Sequence, residues 1–235
     1  ISMKSKWELI GQHDAEQIAE MASVLRVPPS IARILLNRGL RSIEDVQKFI
    51  DPKLENLNDP FLLKDMDIAI DRLITALRER EKIMIYGDYD VDGITSVSVL
   101  YLFLKDLGGD VVFYIPDRAS EGYSLSETGI NDAIKQNCSL IISVDCGITS
   151  VKEAIFAKER GIDLIVTDHH EPGEQLPDAL AVIDPKRPDC SYPFKELAGV
   201  GVAYKITQGL AQKLKLDDNF TEKYLDLVAI GSAAD

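Results

Sequence analysis

KIMIYGDYDVDGITSVSVLYLFLKDLGGDVVFYIP, residues 82–116, decides the fold. It opens on a short continuous apolar run, KIMIY, and passes through an acidic turn. A long apolar segment follows, closed by Gly108-Gly109, and then a second apolar run, DVVFYIP, stopped by Pro116. Neither run alternates with polar residues, so each reads as a strand buried on both faces, with a crossover helix between them. The pattern then repeats. SETGINDAIKQN reads as a helix with Ser126 as its cap, SLIISVD as a strand and TSVKEAIFAKERG as a helix ending at Gly161. IDLIVTD reads as a strand, and ALAVIDP as a shorter one. Such alternation predicts a doubly wound α/β domain, residues 82–235, with a mainly parallel sheet and helices on both faces. Beyond Pro185, a loop and two helices are expected, about Val200 to Leu214 and Asn219 to Ile230.

Upstream the texture differs. Residues 1–57 predict a small helical segment. AEQIAEMASVL has helical spacing, and Pro28-Pro29 breaks it. Ser30 is expected to cap IARILLNRG, which Gly39 ends. Ser42 is expected to cap IEDVQKFI, which Asp51-Pro52 stops. Residues 58–81 are expected to connect the two parts, mostly as an amphipathic helix from about Asp65 to Arg80.

Composition sets limits. The hydrophobic fraction of 46% is enough for a sizeable core. No apolar run approaches the roughly 20 residues of a membrane span. The opening ISMKSKWELIGQHD lacks the apolar stretch of a secretory signal, and its first few residues are expected to be a cloning remnant. Cys138, Cys146 and Cys190 have no zinc-site spacing and read as reduced thiols of a cytosolic protein. The formal net charge of −13 excludes a simple basic nucleic-acid coat. It leaves room for an enzyme whose carboxylates hold cations, because the bound ions reverse the charge locally.

The chemistry lies where the strands end. The first gives Asp88, Asp90 and Asp92, the third Asp145, and the fourth Asp168, His169 and His170. Ligands of open α/β sheets bind beyond the carboxyl ends of strands, so these residues converge on one edge. Five crowded aspartates repel one another unless cations neutralise them. Carboxylates with imidazole suit Mn2+, and also Mg2+ or Zn2+. The number of ligands fits two ions about 3.5–4 Å apart, a spacing made for in-line displacement at phosphorus. Any one of these aspartates could instead simply cap a helix. A calcium loop is a poorer reading of GDYDVDG, since the glutamate that such a loop needs is missing.

Asp168-His169-His170 resembles the motif that names the DHH phosphoesterases. YGDYDVDGITS and SVDCGI resemble their first two motifs, and the closing LVAIGSAAD resembles the fourth. IPDRASEGYSLS and CSYPFKELAGVGVAYK resemble the RecJ-like branch, single-strand-specific 5′→3′ DNA exonucleases. The resemblance covers nearly all of the chain. It implies Asp90 on a first metal, Asp92, His169 and Asp235 on a second, and Asp145 bridging both. It implies His170 on the scissile phosphate and Asp168 orienting the loop and a histidine. Tyr86 stands where many members of the superfamily carry a histidine, so Asp88 or water is expected to complete the first site. Ser124 stands where RecJ-like chains commonly have glycine.

Arg118 is expected as a phosphate clamp. Tyr123 could stack on a base or simply pack, and the N–H groups of Gly199 and Gly201 could receive a phosphate or only permit close packing. The implied protein is a phosphodiester hydrolase of DNA repair and recombination, using two Mn2+ or Mg2+ ions. Single-stranded DNA is its partner, with a single-strand-binding protein and a helicase alongside. A second lobe is implied beyond these residues, and this stretch tested alone is expected to be a poor nuclease. The alternatives are another DHH phosphoesterase (an oligonucleotide or cyclic-dinucleotide phosphodiesterase, or a pyrophosphatase) and a non-catalytic replication scaffold of the same fold. A receiver-type phospho-acceptor domain leaves the two histidines unexplained.

Overall fold

The computed structural model describes residues 13–217 and 219–235, and the chain divides into two compact units between Leu57 and Asn58. The expectations for the opening twelve residues lie outside the described part. The first unit has helices α1 (Ala15–Leu25), α2 (Pro29–Asn37) and α3 (Ile43–Ile50). Ile18, Met21, Ala22, Ala32, Leu35, Leu36 and Val46 form its own small core. Ser42 caps α3, its hydroxyl accepting the Asp45 N–H at 3.0 Å. Ser30 does not cap α2. The helix already begins at Pro29, whose fixed φ suits a first turn and whose missing N–H is no loss there, so Ser30 falls inside it.

The second unit runs α4 (Met66–Glu79), β1 (Lys82–Gly87), α5 (Val91–Asp106), β2 (Asp110–Tyr114), α6 (Glu127–Lys135) and β3 (Leu140–Val144). It continues with α7 (Val151–Glu159), β4 (Asp163–Thr167), β5 (Ala181–Ile183), α8 (Gly199–Leu214), α9 (Asn219–Glu222) and α10 (Leu225–Ala234). The five strands are all parallel, in the order β2-β1-β3-β4-β5. Their side chains alternate between two cores, which is why the sequence shows continuous apolar runs. Ile83, Ile85, Leu140, Ile142, Ile165 and Ile183 face a core shared with α4, α5 and α8. Met84, Tyr86, Ile141, Leu164, Val166 and Val182 face one shared with α6 and α7. The single helix expected over Asn219 to Ile230 is broken in two. Tyr224 interrupts it by turning its ring edge-on to Phe103, while its hydroxyl donates to Asp106.

The loop after β5 is pinned from inside. Arg187, 6% exposed, bonds Asp65 at 2.6 Å and holds Asp189 with two parallel bonds of 2.9 and 2.8 Å. Removing one partner of such a buried pair costs about 3–5 kcal/mol. No helix among the described residues is long and apolar enough to cross a membrane. Because β1 lies between β2 and β3, the chain switches direction at β1. The crevice at the carboxyl ends of β1 and β3 is therefore the place where this topology binds ligands.

Candidate metal centre

Three strand ends meet in that crevice. After β1, Asp88 is buried at 2% exposure and its Oδ1 has no hydrogen-bond partner. Burial raises its carboxyl above the ordinary range. Asp90 caps α5, accepting the Gly93 N–H at 2.9 Å, and stays exposed. Asp92 lies in the first turn of α5 and points inward. It accepts the N–H of Gly199 at 2.6 Å and of Val200 at 2.8 Å, so the start of α8 grips a carboxylate. Burial still raises Asp92, with those two bonds opposing it.

After β3, Asp145 adopts a left-handed φ of 60°, which aspartate tolerates better than most residues. It is buried, and burial together with the charges of Asp92 and Asp90 raises its carboxyl. Its Oδ1 lies 3.0 Å from His169 Nε2, an ion-pair contact out of line for a good hydrogen bond, and neither atom has another hydrogen-bond partner. After β4, Asp168 is 1% exposed and accepts four donors: the N–H groups of Ile148 (2.9 Å), His169 (2.8 Å) and His170 (3.2 Å), and His170 Nδ1 (2.8 Å). Burial alone would raise Asp168; these donors, His170 foremost, hold it below the usual range. In return the Asp168 carboxylate pushes His170 up to about 9.

The side chains fall into overlapping sets. Asp88, Asp90 and Asp145 offer one oxygen each within 4.8 Å of one another; Asp92, His169 and Asp235 offer two oxygens and a ring nitrogen within the same span, and Asp145, His169 and His170 one oxygen and two ring nitrogens. Asp235 Oδ2 is 4.0 Å from His169 Nδ1. Five buried side-chain polar atoms lack a partner among the described residues, and three of them are here: Asp88 Oδ1, Asp145 Oδ1 and His169 Nε2. Orphaned lone pairs on hard oxygens and an imidazole, aimed into one crevice, fit divalent cations.

The remaining sequence candidates divide. Arg118 is exposed at the rim, its guanidinium 5.3 Å from the centre of the Tyr89 ring, and it makes no ion pair with a described residue. Its charge contributes to lowering Asp88. The hydroxyl of Tyr123 reaches the Asp145 carbonyl at 3.3 Å and the His170 ring. Gly199 is a correction. Its N–H already belongs to Asp92, so it is not open to a phosphate. A Cβ there would stand 2.5 Å from Asp145 Oδ1, so glycine is what lets α8 approach. Gly201, one step into α8, is buried and meets Leu197. Tyr86 turns away from the crevice. It packs on Tyr114, and its hydroxyl donates to the Ser124 carbonyl at 3.0 Å. Ser124 itself has φ 78°, a conformation that glycine adopts freely.

Sequence reasoning passed over Asp184, which ends β5 as Asp88, Asp145 and Asp168 follow their own strands. It is fully buried. Oδ1 accepts the Lys186 N–H at 2.7 Å, Oδ2 has no partner, and burial with the nearby Asp168 charge pushes it up to about 7. The available signal was its place at the end of the apolar run ALAVID.

Fold and site together define a class: the chain belongs to the DHH family, whose N-terminal domain matches residues 82–232. Within it, the chain is 46% identical over 235 residues to the single-stranded-DNA-specific exonuclease RecJ of Bacillus subtilis. That match covers all of this chain and 29% of the relative. It is 35% identical over 234 residues to the Escherichia coli RecJ, with 95% and 40% covered. The structure of Thermus thermophilus RecJ in complex with Mn2+ superimposes with a TM-score of 0.76 at 32% identity, over 94% of this chain and 30% of that one. The chain thus spans about three-tenths to two-fifths of the length of these relatives.

Proposed function

We propose that the protein hydrolyses single-stranded DNA from its 5′ end, using two divalent cations, Mn2+ or Mg2+. The observation that carries this is the pair of ligand sets, Asp88–Asp90–Asp145 and Asp92–His169–Asp235, joined where Asp145 meets His169 at 3.0 Å. RecJ structures with Mn2+ and with Mg2+ support the choice of ions. The exonuclease relatives support the substrate, and the motif resemblance supports the polarity. Bound there, two such ions supply a water that ionises near neutral pH and offset the charge that builds on phosphorus.

The chain's own residues do the rest. Asp145 belongs to the first set and reaches His169 of the second at 3.0 Å, the place for a carboxylate that would bridge the two ions. Asp168 takes the Nδ1–H of His170 at 2.8 Å, which leaves Nε2 to face a phosphate oxygen. Arg118, exposed at the rim, offers a forked donor to the backbone of the incoming strand. Asp168 and the start of α8 orient residues that contact the ions or the substrate. A cytosolic setting, with a single-strand-binding protein and a helicase presenting the strand, agrees with the substrate and with three buried free cysteines.

The test is a Mn2+ titration of chelator-stripped protein against 5′-labelled single strands, duplexes, dinucleotides and pyrophosphate. Loss of cleavage on stripping, recovery with Mn2+ and preference for long single strands are expected. Undiminished cleavage by metal-free protein would refute the two-ion reading, and preference for pyrophosphate or dinucleotides would replace the substrate.

A further inference from the structure

We propose that Tyr123 is a positioning residue for His170, holding the imidazole with Nε2–H turned toward the crevice. This rests on the reading of His170 as the group that faces the phosphate. The phenol oxygen stands 3.2 Å from Nδ1 and 3.3 Å from Nε2 of His170, nearly equidistant. A donor or acceptor in line with one nitrogen would be much closer to it than to the other. The oxygen therefore lies over the face of the ring rather than in line with either nitrogen, since in the ring plane the same two distances would drive it into Cε1; packed there, it stops the imidazole from turning about its bond to Cβ. Nδ1–H is already committed to Asp168 at 2.8 Å. The hydroxyl hydrogen has its own acceptor, the Asp145 carbonyl at 3.3 Å. One phenol thus ties the loop after β3 to the ring after β4, and it leaves Nε2–H free.

The loop that carries Tyr123 is fixed on both sides. Gly122 and Ser124 have φ of 85° and 78°, so the chain turns sharply before and after the ring. The Ser124 carbonyl accepts the Tyr86 hydroxyl at 3.0 Å, and the Ser124 hydroxyl meets that of Ser150 at 2.9 Å. The Tyr123 ring stands nearly perpendicular to the His170 ring, at 78° and 5.8 Å between centroids. The same arrangement separates His170 from its neighbour. Of the two histidines after β4, His169 has a carboxylate near each ring nitrogen, while His170 is nearly half exposed and has only Asp168 as a carboxylate partner, which suits contact with substrate.

Tyr123→Phe keeps the ring and removes only the oxygen. On an ordinary 5′-phosphorylated single strand and on one with abasic nucleotides at its 5′ end, kcat should fall by about 10- to 100-fold, the scale of a misplaced catalytic group. KM should stay within about twofold, and Mn2+ affinity by calorimetry should be unchanged. A base-stacking Tyr123 gives the opposite pattern: Tyr123→Phe behaves like the parent, and Tyr123→Leu loses activity only where there are bases to stack on. That pattern overturns the proposal. So does weakened Mn2+ binding in Tyr123→Phe, which would put the role on the Asp145 backbone. The orientation of the His170 ring, read in crystals of the metal-loaded parent and variant, answers independently of turnover. An unmoved ring overturns the proposal and a rotated one supports it, even if the parent proves inactive on single-stranded DNA and the substrate reading fails.

Discussion

Asp184→Asn should make the stability of the metal-free protein less sensitive to pH between about 4 and 7. Asp184 is fully buried, one carboxylate oxygen has no partner, and its carboxyl is pushed up to about 7 from an ordinary 3.8. Between those values the folded chain keeps a proton that the unfolded chain has released. A raised carboxyl pKa therefore means stability that falls as pH rises from about 4 to about 7 and levels off above. The window spans about three pH units, and at about 1.36 kcal/mol per unit the parent loses up to about 4 kcal/mol that the neutral amide does not. Asparagine keeps the acceptor for the Lys186 N–H, and it exchanges an orphaned charge for an orphaned amide, which costs less to bury. Urea denaturation of chelator-treated parent and variant at half-unit steps from pH 5 to 8 measures the difference directly. The variant should gain on the parent from pH 5 to about 7, hold that gain to pH 8, and be the more stable of the two there. A stability difference that stays constant within about 0.5 kcal/mol over those steps would refute the assignment, because a residue titrating at an ordinary carboxylate value contributes no slope there.

Asp145→Ala should abolish turnover by several orders of magnitude and weaken Mn2+ binding in calorimetry, while raising the melting temperature of the metal-free protein by removing a buried like charge. His170→Ala should keep Mn2+ binding and lose about 10²- to 10⁴-fold in turnover; equal loss of metal in the two variants would contradict the division of roles. Gly199→Ala should destabilise by about 1–3 kcal/mol in urea melts, since its Cβ meets Asp145 Oδ1 at 2.5 Å, and it should reduce Mn2+ affinity; unchanged affinity would show that α8 does not brace the site. Mn2+ at about 100 times its dissociation constant should stabilise the parent by about 2.7 kcal/mol, and a thermal scan showing no shift would argue against binding to the folded state.

The parallel sheet was legible because strands buried on both faces must be apolar at every position, and Ile83 to Tyr86 and Leu140 to Val144 are nearly so. The convergence of Asp88, Asp90, Asp92, Asp145 and the Asp168–His170 run was legible for a related reason: parallel strands all end at one edge. Caps such as Ser42 and Ser126 were legible because their partners lie three residues away. What escaped the reading depends on distant partners. Nothing local to Gly199 announces that its N–H serves Asp92, or that its missing Cβ makes room for Asp145. Tyr123 carries no local mark of the ring it faces across 47 positions. The break between α9 and α10 was hidden because no glycine or proline marks it, and the docking of Tyr224 on Phe103 is a distant contact.

The grip of α8 on Asp92 also bears on the order of events during synthesis. The donors Gly199 and Val200 come 107 and 108 positions after the carboxylate they hold. At about 5–20 residues per second, a ribosome delivers them roughly 5–20 s after Asp92. In that interval the early strands can already pair, but Asp92 has no donors to neutralise it, and Asp145 lacks the helix that packs against it. The centre is therefore among the last features of the domain to mature. A nascent chain exposed beside other nucleic acids has no finished cation cradle until its late helix docks.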